Sequence, residues 1–363
     1  MTDPLEVIKP AVRAIKAYTL AARPAPIKVN QNENPYELPD AVKREVLDAA
    51  LQRPWGRYPP FDPRELCEAL ADFAGWKSDG VLAGNGSNEL IEALLLVTVG
   101  PGARVVIPEP TFTLYALLTG ILGGEAVRVP LDPRLQYEPG ALVAAARTAG
   151  ASLTIVCSPN NPTGTLLAPE GVERLCRDTP GLVIVDEAYH EFAGTTVVPL
   201  LERHENLVVL RTFSKAMALA GLRVGYLLAA PRLVREIDKA RLPYNLNFFS
   251  QAAALAALRR RDVLAASVKR LRDARDALLV EVGRLPAVRV HPSQANFFLL
   301  ELQEADPKAV FEALYAKGIL VRDVTSYPGL ARCLRISVGS DDENRAVVGA
   351  LSAALQPTAA GRS

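Results

Sequence analysis

The sequence predicts an α/β fold: a mostly parallel sheet with helices on both faces, joined to a smaller α+β unit near the C-terminal end. Three observations lead there. Between residues 104 and 228 six short apolar runs recur with helical stretches between them, and apolar runs without polar alternation mark strands covered on both faces. Motifs rich in polar side chains follow three of those runs directly, at the strand ends where open α/β sheets bind ligands. Beyond residue 285 short strands mix with helices in the manner of a separate α+β unit.

From the N-terminus, residues 1 to about 30 read as an amphipathic arm, with Ile8, Val12 and Ile15 at helical spacing and Leu20 as a further apolar contact before Pro24-Ala25-Pro26. An arm of this kind is expected to pack on a second subunit. From Asp40 to Gln52 the residues Val42, Val46, Leu47 and Leu51 share one helical face, and Glu65 to Phe73 behaves similarly after Pro63. The six apolar runs are Arg104–Ile107, Ala126–Val129, Leu153–Val156, Leu182–Val185, Leu207–Leu210 and Val224–Leu228. A long helical segment from about Asn247 to Arg284, rich in Ala, Leu and Arg, is expected to link two domains. The closing unit holds strands at Val288–Val290, Asn296–Leu300, Gly318–Val321 and Cys333–Val338.

A chain of 363 residues exceeds what one hydrophobic core usually organises, so two domains are expected. Residues 1–45 are assigned to the arm and part of the small domain, 46–255 to the large domain, and 256–363 to the C-terminal small domain. With 41 basic against 40 acidic side chains, no strong field favours nucleic acid or an anionic membrane, and the expected partner is a small molecule. No apolar run reaches membrane-spanning length, and Met1 to Glu6 lacks the basic start of a secretory leader. The four cysteines (Cys67, Cys157, Cys176, Cys333) form no Cys-x-x-Cys pair and the three histidines lie far apart. Neither a metal site nor a disulfide framework is expected, and a reducing cytoplasm fits best.

The chemistry-bearing residues converge on one cofactor. Lys215, in Thr212-Phe213-Ser214-Lys215, supplies an amine for a Schiff base, and Arg223, eight residues on in Gly221-Leu222-Arg223-Val224-Gly225, supplies a cation that lowers the lysine pKa and holds phosphate. Asp186 ends an apolar run and is placed to keep a pyridine nitrogen protonated. Asn161, in Ser158-Pro159-Asn160-Asn161-Pro162-Thr163-Gly164, and Tyr189, in Val185-Asp186-Glu187-Ala188-Tyr189, are placed to donate to a phenolate oxygen. Gly84-Asn85-Gly86-Ser87-Asn88-Glu89-Leu90 opens an apolar helix whose first amides can receive a phosphate, assisted by the Ser87, Thr212 and Ser214 hydroxyls and Arg223. Phe112, after the Arg104–Ile107 run, can stack on a pyridine face. Together these form the inventory that pyridoxal 5'-phosphate requires.

In this order, and with Asn32-Glu33-Asn34-Pro35, Arg57-Tyr58-Pro59, Ala220-Gly221-Leu222-Arg223 and Leu334-Arg335-Ile336-Ser337-Val338-Gly339, the chain resembles the pyridoxal-phosphate enzymes of the aspartate-aminotransferase fold. Within them it most resembles the histidinol-phosphate aminotransferases, from about Tyr18 to Arg345. The resemblance implies fold type I, with a seven-stranded, mostly parallel sheet in the large domain. It implies Lys215, Asp186 and Tyr189 as catalytic residues, and Ser87, Asn88, Phe112, Asn161, Thr212, Ser214 and Arg223 as further cofactor contacts. Tyr58 would reach the cofactor phosphate of a neighbouring subunit, making a homodimer the functional unit. Tyr18, Asn32, Arg322 and Arg335 would bind substrate, Arg335 gripping in turn the carboxylate of glutamate or 2-oxoglutarate and the phosphate of a phosphorylated amino alcohol. The implied reaction moves an amino group between L-histidinol phosphate and 2-oxoglutarate by a ping-pong route.

Three other readings share parts of this pattern. An aromatic amino acid aminotransferase or a threonine-phosphate decarboxylase would keep the same cofactor shell. A pyridoxal-phosphate-sensing transcription regulator would need an added DNA-binding module, whereas the arm begins almost at the first residue. A plain nucleotide-binding sheet would need Gly-x-Gly-x-x-Gly, which Gly84-Asn85-Gly86 does not extend into.

Overall fold

The computed structural model describes residues 3–15 and 23–356. In chain order the strands are β1 (Ile27–Lys28), β2 (Val81–Gly84), β3 (Arg104–Glu109), β4 (Glu125–Pro130), β5 (Leu153–Cys157), β6 (Leu182–Asp186), β7 (Leu207–Thr212), β8 (Gly225–Ala229), β9 (Val288–Val290), β10 (Phe297–Leu302), β11 (Ile319–Leu320), β12 (Arg322–Asp323) and β13 (Cys333–Ser337). The main sheet has seven strands in the order β2-β8-β7-β6-β5-β3-β4. Among the described strands β8 is the reversed one: it runs antiparallel to β2 and β7, and the other pairings of this sheet are parallel.

All six expected strands are present, most of them a residue or two longer than their apolar runs. The seventh, β2, has four residues and ends on glycine, too short for the run to stand out, yet every one of its residues is buried. Apolar layers cover both faces of the sheet, with Val156, Val183 and Leu207 turned to one side and Ile155, Ile184 and Val208 to the other. Such two-sided burial explains why polar alternation vanishes in these strands.

Register brings the functional ends together. Cys157 pairs with Asp186, and Asp186 with Leu210, so the carboxyl ends of β5, β6 and β7 open on one side. Chain order reverses between β3 and β5: the chain moves outward from β3 to β4 and then returns to lay down β5 on the other side of β3. The loops after β3 and β5 therefore diverge, which opens a crevice at the point where such sheets take ligands.

A second, antiparallel sheet, β12-β13-β10-β9, has its own apolar core built from Phe298, Leu300, Leu334 and Ile336, with Leu278, Val310 and Val347 from the covering helices. The short β1 pairs in parallel with β11, tying the segment after the arm to the C-terminal half. Two local expectations differ. Ile8, Val12 and Ile15 do not share one helix: a 3-10 turn at Pro4–Val7 precedes a short helix at Pro10–Ala14, and Ile8 and Ile15 are extended. Pro10 lacks the amide that would continue a helix through it and instead begins a new one. The segment from Asn247 to Arg284 is two helices, Phe248–Leu258 and Arg261–Gly283, broken at Arg260. The first packs on Asp40–Leu51 and Arg64–Ala74, the second on Asp341–Ala354 and β9, and a single straight helix could not lie on both.

Candidate active site

The crevice is a cavity of about 440 Å³ lined from three directions. The main sheet contributes Asp186 and Thr212 at its strand ends; the loops contribute Phe112, Asn161, Tyr189, Ser214, Lys215 and Arg223; the segment after β1 and the second sheet contribute Asn32, Arg322 and Arg335.

At one end the residues form a cup for an anion. Gly86 caps the helix Ser87–Thr98 with a φ of 80° and gives no side-chain cap, so the first helical amides, at Ser87 and Asn88, remain for a ligand. A Cβ on Gly86 would stand 2.4 Å from Arg223 Nη2, and one on Gly225 would stand 2.3 Å from the Ser87 amide nitrogen. Glycine at both positions lets Arg223 and the helix start close together. Arg223 Nη1 donates to Ser214 Oγ at 3.2 Å, and the Thr212 hydroxyl donates to the same oxygen at 3.0 Å. Ser87 is buried while Asn88 and Arg223 are exposed, so the cup is open at its rim.

Lys215 stands in the middle, its Nζ 2.8 Å from the Gln31 carbonyl oxygen and 6.0 Å from the centre of the Tyr189 ring. Burial, and then the positive charge of Arg335, lowers its pKa to about 8. Arg223 acts in the same direction but after Arg335, so the cation that most affects the lysine is the one expected to bind substrate. A neutral, nucleophilic amine is thereby accessible near neutral pH.

Asp186 is 4% exposed at the end of β6. Its Oδ2 accepts a hydrogen bond from the Tyr115 hydroxyl at 2.6 Å, and its Oδ1 accepts from the Ala188 amide at 3.1 Å. Burial pushes its pKa up to about 6, while those two donors pull it down.

Hydrogen-bond directions around Tyr189 follow from chemistry. The Ser337 hydroxyl donates to Asn32 Oδ1 and accepts the Asn32 amide N–H, both at 2.9 Å. Asn32 must then turn its Nδ2 elsewhere, and it donates to Tyr189 Oη at 3.0 Å. With one lone pair so engaged, the Tyr189 proton is left to point into the cavity. Arg335 Nη1 donates to Asn161 Oδ1 at 2.5 Å, which leaves the Asn161 NH2 as a donor to a ligand. Arg335 Nη2 also donates to the Asn30 carbonyl at 2.6 Å, and its guanidinium lies 5.2 Å from the Phe297 ring centre. Arg322 is paired directly with Arg335 across β12 and β13, so both project from one face of the second sheet.

Residues 24–351 match the family model described as aminotransferase class I and II. The chain belongs to that family. Histidinol-phosphate aminotransferase from Chlorobium phaeovibrioides is 37% identical over 353 residues, covering 97% of this chain and 98% of the relative. The enzyme of the same name from a Thermoanaerobacter species is 35% identical over 349 residues, with 96% and 99% covered. Among solved structures, histidinol-phosphate aminotransferase from Sinorhizobium meliloti in complex with pyridoxal-5'-phosphate superposes with a TM-score of 0.85 at 27% identity, covering 95% of this chain and 96% of that one.

For this aminotransferase-family chain, the structure gathers Ser87, Asn88, Phe112, Asn161, Asp186, Tyr189, Thr212, Ser214, Lys215 and Arg223 around one cavity, with Asn32, Arg322 and Arg335. Tyr58 is not among the lining residues. It is 80% exposed and stacked on Tyr244 at 4.4 Å. Tyr18 lies outside the described residues. Four participants escaped the sequence reading: Tyr115, Ser337, Asn296, whose Nδ2 donates to the Asn32 carbonyl at 3.1 Å, and Tyr327 on the cavity wall. A signal existed for two of them. Ser337 lies two residues beyond Arg335 on one strand and so shares its face; Tyr115 lies three beyond Phe112 at the start of a helix, one turn along.

Proposed function

We propose that this protein catalyses reversible amino transfer between L-histidinol phosphate and 2-oxoglutarate, giving imidazole acetol phosphate and L-glutamate, with pyridoxal 5'-phosphate bound at Lys215. One observation carries the reading: a lysine of lowered pKa stands between two separate anion sites, the cup at Ser87 and Arg223 and the paired guanidiniums of Arg322 and Arg335. A phosphorylated cofactor and an anionic substrate need both. The near-full-length relatives named histidinol-phosphate aminotransferase support histidinol phosphate as the amino donor.

The donor set fits the cofactor. The cup suits its phosphate, Asp186 its ring nitrogen, the Tyr189 hydroxyl and Asn161 amide its phenolate oxygen, and Phe112 the face of its ring. When bound, pyridoxal phosphate supplies an aldehyde that takes up amines and a ring that withdraws electrons from the carbon bearing the amino group. Lys215 Nζ, with its lowered pKa, would take up and give back the proton of that substrate carbon. Asp186 as an anion keeps the ring nitrogen protonated. Arg335, aided by Arg322, takes the phosphate of one substrate and the carboxylate of the other in turn, since a guanidinium accepts either without changing its own charge. Donor and acceptor thus meet the same site in turn, as a ping-pong cycle requires.

A homodimer in the cytoplasm completes the proposal. Tyr58, Phe61 and Tyr244 pack on one another as an exposed aromatic patch of the kind a partner subunit covers, and all four cysteines are free thiols, suited to a reducing compartment. Steady-state assays across histidinol phosphate, phenylalanine and O-phosphothreonine test the substrate reading. Turnover of phenylalanine with none of histidinol phosphate would refute it, and borohydride reduction should fix the cofactor on Lys215.

A further inference from the structure

We propose that Tyr115 is a positioning residue for Asp186: its hydroxyl, 2.6 Å from Oδ2, holds that carboxylate in one orientation and in its anionic form, ready for the ring nitrogen of the cofactor. The inference rests on the reading that this cavity takes pyridoxal phosphate, and it assigns a task to a residue outside the cofactor contacts already named.

The setting turns the hydroxyl to the carboxylate, with the Cys157 thiol as its other polar neighbour. Tyr115 is 0% exposed and Asp186 only 4%, so both are largely screened from water. A buried carboxylate without donors drifts to its neutral form. As a neutral acid Asp186 would offer a proton instead of accepting one and could no longer favour a protonated ring nitrogen. The groups that face it are Cys157 and Tyr137 near the end of β5, Tyr189 and Glu187 on its own segment, and Lys215. Among these interactions the Tyr115 hydrogen bond does most to favour the anion, ahead of the Ala188 amide and of Lys215. Burial also holds the phenol itself well above its ordinary pKa, so it stays a donor.

The helix carrying Tyr115 gives the contact its direction. Leu114–Ile121 starts directly after the loop bearing Phe112, and the Phe112 and Tyr115 rings meet edge to face at 5.5 Å and 85°. Thr119 Oγ1 donates back to the Tyr115 carbonyl at 2.8 Å and braces the turn. The loop end at Phe112 and the helix behind it therefore set together the ring that would face the cofactor and the hydroxyl that steers the acid. With one oxygen held by Tyr115 and the other by Ala188, the carboxylate cannot rotate, yet each oxygen retains a lone pair for the cavity.

The test compares Tyr115→Phe, Asp186→Asn and the parent protein for pyridoxal phosphate affinity as a function of pH, by equilibrium dialysis of the full chain. For Tyr115→Phe the dissociation constant should rise about tenfold at neutral pH, the low end for a hydrogen bond to a charged group. The pH below which cofactor is lost should also move upward, because the unassisted acid protonates sooner. Replacing Tyr115 by 3-fluorotyrosine, a stronger donor of the same shape, should move that boundary downward and keeps the test open if the phenylalanine variant folds poorly. If Asp186→Asn loses affinity while both Tyr115 variants keep the parent's constant and pH boundary, the role of Tyr115 is refuted and the cofactor reading stands. A loss for Tyr115→Phe that is equal at every pH also refutes it, as a packing effect. Parent-like affinity in Asp186→Asn overturns the cofactor reading itself.

Discussion

Asp186→Asn should stabilise the cofactor-free protein, because the wild-type carboxylate is kept at a cost to the fold. Asp186 is almost fully buried, and burial raises its pKa from 3.8 to about 6. With a folded-state pKa above the unfolded one, the folded protein binds more protons between those values, so wild-type stability falls as pH rises from 3.8 through about 6 and is flat above. That gap corresponds to about 3 kcal/mol. Asparagine does not titrate, has nearly the same shape, and its carbonyl can still accept from Tyr115. Urea unfolding of the two cofactor-free proteins should therefore show no gain for the variant near pH 4 and a gain of roughly 2–3 kcal/mol at pH 7 to 8. With saturating pyridoxal phosphate the order should reverse, since the ligand stabilises only the protein that binds it well. A variant less stable than wild type at pH 7.5 without cofactor, or a difference that does not change between pH 4 and 7, would refute the reasoning.

Lys215→Ala is expected to abolish amino transfer and borohydride-trappable attachment while cofactor still binds non-covalently, as ultraviolet–visible spectra of the dialysed protein would report. Arg335→Ala should lower kcat/KM for both histidinol phosphate and 2-oxoglutarate by about 10–100-fold, the worth of a hydrogen bond to a charged group. It should also raise the pKa of Lys215, because Arg335 is the chief cation depressing it, so the alkaline shift of the pH–rate profile checks the same variant. Arg211 Nη2 and Glu187 Oε2 stand 2.9 Å apart with both side chains almost wholly buried, beside Thr212 and Asp186 in sequence. Arg211→Met strands the Glu187 charge and should cost about 3–5 kcal/mol in urea unfolding, with much of that recovered in the Glu187→Gln/Arg211→Met double variant.

Much of the site was legible because its parts are local. Lys215 with Thr212 and Ser214, Asp186 with Tyr189, and the glycine-flanked helix start at Ser87 each lie within a few residues at a strand end or helix start, so composition and spacing reveal them. Arg211 and Glu187 carried no such signal, since only the parallel register of β6 and β7 sets them side by side. The arm and the linking helix misled for a related reason. Ile8, Val12 and Ile15 keep helical spacing across Pro10, and the Ala-rich run from Asn247 keeps it across Arg260, where packing on two different units breaks the helix.

The residues by themselves determined which segments become strands, where the polar motifs fall on them, and which cofactor that inventory matches, because each is a matter of near neighbours and alternation along one chain. Tertiary structure alone decided the hydrogen-bond directions: Ser337 turning Asn32 toward Tyr189, Arg335 taking the Asn161 oxygen, and Tyr115 reaching Asp186 are contacts between residues 71 to 305 positions apart. No periodicity encodes such a meeting, since it exists only once the sheet order and the second sheet have brought distant side chains within 3 Å.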